Sequence, residues 1–130
     1  MPSCTTATTD RRLIELARHE VESIVADLPE DVRQKADDVP VAYELDFPDH
    51  WAEDGVEPDS LGLFSGPSCT ELDDASTPEV SLISLFLMNI WKASDLDEQT
   101  YLDEVRLTYL HELGHYLGLE EDDMGQRGLL

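Results

Sequence analysis

The sequence predicts a single α+β domain. Three observations carry this. The chain has 130 residues, 41% of them hydrophobic; its periodic segments run helix, strand, short strand, strand, helix; and no linker or internal repeat divides it. Folding at this size buries roughly two-thirds of the unfolded chain's surface, enough for one core. The expected arrangement is a small mixed β-sheet packed against an N-terminal helix and a C-terminal helix.

The elements follow in order. Residues 1–9 (MPSCTTATT) are polar and are expected as a disordered lead, leaving 10–130 as the domain. Thr9 or Asp10 can cap a helix over 10–28, where Leu13, Ile14, Ala17, Val21, Ile24, Val25 and Leu28 recur at three and four spacing. Pro29 ends it or starts a second short turn reaching Ala36. Val39, Val41, Tyr43, Leu45 and Phe47 alternate, which predicts a half-buried strand with Pro40 at its beginning or on an edge. Pro48–Ser60 and Pro67–Pro78 read as polar loops, and Leu61–Gly66 as a short strand with a glycine turn. Val80–Ile90 is the most apolar run, of a length that suits a strand buried on both faces. Ser94 or Asp95 then opens the last helix, Asp95 and Glu98 having capping-box spacing. That helix is expected over 96–117, with Gly118 as its stop.

Charge narrows the partners. Eight Lys+Arg stand against thirty Asp+Glu, a net charge of −22. No basic cluster exists to displace counterions from a phosphate backbone, which argues against nucleic acid and against an anionic membrane surface. The apolar stretch Leu82–Ile90 falls far short of the ~20 residues of a membrane span. The acids are spread along the chain, as on a solvated surface or one adapted to high salt; a basic substrate or partner is the sharper reading. Two cysteines, Cys4 and Cys69, make no disulfide framework and fit no zinc ribbon. The first ten residues lack the basic and apolar regions of a secretory signal, so a cytoplasmic protein is expected.

The last helix carries the chemistry. His111-Glu112-Leu113-Gly114-His115 is an H-E-x-x-H pattern. At 3.6 residues per turn two histidines four apart point only ~40° from one another, one turn up the same face. Both imidazoles then reach one ion at ~2.0–2.1 Å, which points to Zn2+. Glu112 is offset around the helix, placed to touch the attacking water as general base. On the helical wheel Leu102, Val105, Tyr109, Leu113, Tyr116 and Leu117 share a core-facing side, and the histidines project from the other. The plainer readings are two ordinary surface histidines on an amphipathic helix or two satisfied core histidines; the orientation argues against the core version, and the motif favours the metal.

A catalytic zinc takes three protein ligands and keeps one open position. Only fifteen residues follow His115, too few for a second long helix bearing a distant ligand. Gly118, three residues after His115, lets the chain double back. The pattern then reads His111-Glu112-x-x-His115-x-x-Gly118-x-x-Glu121, and in H-E-x-x-H-x-x-G-x-x-H sites the third ligand occupies the place of Glu121. Asp122 is the alternative, and water or another residue a third possibility. His19 and His50 read as surface residues, Trp91 as core edge, and Met124 follows the motif too closely to form a Met-turn. Tyr109 and Tyr116 fall with the core.

From about Leu28 to Met124 the chain resembles the small bacterial zincin-like metallopeptidases, the minimal metalloprotease-like family. The residues that carry this are Leu28-Pro29-Glu30 with Arg33, the segment Leu61-Gly62-Leu63-Phe64-Ser65-Gly66, and His111-Glu112-Leu113-Gly114-His115-Tyr116-Leu117-Gly118-Leu119 followed by acids. The resemblance implies a compact zincin-like core with a small sheet beside the motif helix. It also implies zinc held by His111, His115 and the acid ten residues after His111, here Glu121. The chain departs from the family in having Glu there where Asp is common, a longer loop at Pro48–Ser60 and an acidic Pro67–Pro78. The expected activity is peptide-bond hydrolysis with Glu112 as base, on a peptide or protein substrate held by strand addition along 39–47. The alternatives are a non-catalytic zinc-binding domain and an acidic protein-interaction module. The oligomeric state is not legible.

Overall fold

A computed structural model describes residues 2–47, 53, 55, 57–66 and 81–118, the side chains of 2–9 excepted. The expected loop at 67–78, His50, Trp51, Met124 and the acids from Glu120 onward lie outside the described residues. Those described form helices α1 (Pro2–Asp27) and α2 (Glu30–Asp37), strands β1 (Val41–Glu44), β2 (Gly62–Ser65) and β3 (Leu82–Phe86), then helices α3 (Leu87–Ala93) and α4 (Glu98–Tyr116). The α+β class stands.

Helix α1 starts at Pro2 rather than at residue 10, so the segment expected as a disordered lead supplies its first turns. Proline's preset φ suits a helix start, and extending a formed helix costs little per residue. Leu13, Ala17, Val21 and Ile24 are buried along one stripe, as their spacing predicts. Tyr101 Oη donates to the Leu13 carbonyl at 2.8 Å, which fixes α1 against α4.

The sheet order is β1-β3-β2, with β1 parallel and β2 antiparallel to β3. The central strand is the buried one: Ile83, Leu85 and Phe86 are fully enclosed. The apolar run does not continue as a strand to Ile90. β1 and β2 each offer four residues; β1 pairs with β3 as far as Phe86 and β2 as far as Leu85. Beyond that point a strand would have backbone donors without acceptors, and the chain turns into α3 instead. Met88 N–H still reaches the Leu45 carbonyl at 3.0 Å across the junction. β1 is likewise shorter than the alternation over 39–47, because it has one partner strand and that partner is short.

Ser94 Oγ donates back to the Ile90 carbonyl at 2.7 Å and closes α3. Asp95 and Leu96 follow with φ of 54° and 59°, a left-handed turn that reverses the chain. The cap of α4 is Asp97 rather than Ser94 or Asp95: its carboxylate accepts from Thr100 N–H at 3.0 Å. Tyr101, Val105, Tyr109, Leu110, Leu113 and Tyr116 of α4 are buried. The helix lies against α1 and α3 and also against β2 and β3.

Candidate metal centre

Helix α4 delivers the motif as one rigid unit. His111 Nε2 and His115 Nε2 stand 3.2 Å apart, with the rings nearly perpendicular at 89°. Two nitrogens bonded at ~2.0–2.1 Å to one tetrahedral ion lie about 3.3–3.4 Å from each other. The pair therefore already has the spacing of two ligands on one zinc. One ligand atom from each of His111, Glu112 and His115 lies within 4.8 Å of the others. The donor set, two imidazoles beside a carboxylate, fits zinc by its chemistry.

Glu112 differs from its neighbours in burial. It is only 7% exposed, whereas His111 is half-buried and His115 exposed. Burial pushes the Glu112 carboxyl above the ordinary carboxylate range, and the adjacent His111 pulls it part of the way back. A carboxylate so placed costs stability unless it has a partner, and such groups cluster at functional sites. Gly62 makes the seat. A Cβ at Gly62 would come within 2.6 Å of Thr108 Cγ2 and 3.5 Å of Glu112 Cγ, so only a glycine lets β2 lie this close to α4.

A cleft of about 560 Å3 opens beside the motif. One wall is residues 60–62, leading into β2; the other is Leu107, Thr108, His111 and Glu112 of α4. Gly62 and Leu61 fall within the short strand segment expected from sequence, but that segment's contact with Glu112 was not. The edge expected for strand addition, 39–47, belongs to β1, which β3 separates from β2 and the cleft. Leu107 went unrecognised as a cleft residue. Its signal was available: it precedes His111 by four, so it lies on the histidine stripe.

The helix ends as the glycine predicts. Gly118 has φ of 75° and its N–H donates to the His115 carbonyl at 3.0 Å. The helix therefore ends within three residues of the second histidine. Glu121 and Asp122, the candidates for third ligand, lie beyond the described residues. His19 is exposed on α1, and Trp91 packs edge-on to Tyr101 with ring centroids 5.5 Å apart. Tyr109 and Tyr116 are buried in the core, as the wheel indicates.

The sequence profile of the zincin-like metallopeptidases matches residues 36–129. The chain belongs to this family. The matched span contains the sheet, α3, α4 and the motif. Comparison with curated proteins gives no match. No helix among the described residues is long and apolar enough to cross a membrane.

Proposed function

We propose that this zincin-like protein is a zinc-dependent peptidase, with His111, His115 and Glu121 as metal ligands and Glu112 as general base. The observation that carries the reading is a buried carboxylate beside two imidazoles already at zinc-ligand spacing. A purely structural zinc site has no use for such a carboxylate. Zinc, when bound, supplies Lewis acidity that polarises the scissile carbonyl and acidifies the attacking water.

The chain's own groups do the rest. His111 and His115 orient the ion from one helix face. Glu112 takes the proton of the attacking water on a carboxylate oxygen while the water oxygen bonds to the carbonyl carbon. It then hands that proton to the amine nitrogen as the carbon–nitrogen bond breaks. Its burial keeps bulk water from competing for the proton and raises its basicity. The substrate is an extended peptide, laid along the outer edge of β2, which has no strand partner among the described residues.

The test separates binding from chemistry. Elemental mass spectrometry on protein purified without chelator is expected to find about one zinc per chain. That zinc is lost in His111→Ala and Glu121→Ala. Glu112→Gln is expected to keep it, to keep or raise the melting temperature of the metal-free protein, and to lower peptide cleavage by about 10²–10⁴-fold. Zinc retained by all variants, with no cleavage of any peptide, would favour the non-catalytic zinc-binding reading. Absence of zinc uptake would end both.

A further inference from the structure

We infer that the cleft between β2 and α4 is a side-chain subsite selecting an apolar residue of the substrate next to the scissile bond, with Leu61 and Leu107 as its opposed walls. The inference rests on the peptidase reading of the same site and adds the class of residue it accepts. Leu107 is 48% exposed, one of two large apolar side chains so exposed among the described residues. The other, Leu96, sits at the tip of the left-handed turn before α4. Leu107 has no such excuse. It stands in the middle of a regular helix, one turn before His111, between exposed Asp103 and the half-buried histidine. A leucine left facing a cleft at that point keeps apolar surface in water until something covers it.

The facing wall is built to hold its shape. The Leu61 carbonyl accepts from Phe86 N–H at 2.9 Å. Just before it, the Asn89 side-chain amide donates to the Pro58 and Ser60 carbonyls, both at 2.8 Å. The approach to β2 is thus pinned from α3, and the Leu61 side chain rests on the core. Between the walls Gly62 contributes no side chain, and the Thr108 methyl closes on the place a Cβ would take. The volume of about 560 Å3 falls within the ~300–1,000 Å3 of ligand clefts, and this one lies open to solvent.

Charge points the same way. Of thirty acidic residues in the chain, Glu112 alone is among the described lining residues. Among the described lining residues the base is the one carboxylate a cationic substrate side chain would meet, and pairing with it would disable the reaction. Ser60 and Thr108 add hydroxyls but no charge.

Two measurements test this. In the first, the zinc-loaded protein digests a peptide library varied at the positions flanking the cleaved bond. The wild type is expected to favour Leu, Ile, Met or Phe at one flanking position. In Leu107→Glu the ratio of leucine to alanine peptide turnover falls by about 10–100-fold. A flat profile, a preference for Lys or Arg, or an unchanged ratio in Leu107→Glu overturns the inference while leaving the peptidase reading intact. The second needs no turnover: methyl-labelled protein is titrated with a capped tetrapeptide containing leucine, or serine in its place. The Leu61 and Leu107 methyl signals are expected to move with the leucine peptide and not with the serine one. If no peptide is cleaved, those shifts still uphold an apolar subsite; their absence, or equal shifts with both peptides, sinks it.

Discussion

Gly62 is the residue on which the cleft depends. A methyl group there would lie 2.6 Å from Thr108 Cγ2 and 3.1 Å from the Ser84 carbonyl oxygen, in a place where backbone and helix cannot both yield. Gly62→Ala is therefore expected to lower stability by about 1–3 kcal/mol. Thr108→Ser removes the γ-methyl that the new Cβ meets first, so the double variant should recover part of the loss. Denaturant unfolding of the four proteins measures the coupling. Strictly additive losses would mean that Gly62 does not set the strand-to-helix distance. At this scale the sequence was informative about the histidines and silent about burial. Four-residue spacing on a helix fixes where two imidazoles point, whatever surrounds them. Glu112, in a chain with thirty acids, looks like any solvated carboxylate. β2 lies over it at Gly62, a contact between segments far apart in sequence.

Asp97 holds the start of the motif helix. Its carboxylate accepts from Thr100 N–H at 3.0 Å and from the Thr100 hydroxyl at 2.7 Å. The backbone hydrogen bond first, and the hydroxyl second, hold its carboxyl below the ordinary range. A depressed folded-state value contributes stability above the unfolded value and loses it as pH falls through the folded one. Asp97→Ala should thus melt below the wild type at neutral pH, and the gap should close on acidification below about pH 4. Circular-dichroism melts across pH check it; a gap of constant size would show that the carboxylate does not cap the helix. The sequence pointed to Ser94 or Asp95 because each is a good capping residue near the right place. What moved the cap was the left-handed pair Asp95 and Leu96, a backbone state that side-chain spacing does not reveal. The run from Val80 failed as a single strand for a related reason. Hydrophobicity marks what is buried, but the four-residue partners β1 and β2 decide where a ladder can end.

At the scale of the molecule, element order was legible and sheet order was not. Periodicity gives helices and strands one by one; it does not say that β3, last in sequence, lies between β1 and β2. That same arrangement puts β2, and not β1, beside the cleft. It also ties together parts of the chain that are distant in sequence. The bond from Tyr101 to Leu13 spans 88 residues, and Val41 pairs with Ile83 in parallel. Contacts of this kind form late, because the entropy of closing long loops is spent before they yield anything. In refolding, the motif and the cleft are therefore expected to come together with the closing of the core. Trp91, edge-on to Tyr101, reports that closing by its fluorescence in a Trp51→Phe background. Stopped-flow zinc uptake and the Trp91 signal should share one rate constant. Uptake ahead of Trp91 would mean that the bare helix captures the ion; a common rate would mean that a partly folded chain carries no working centre.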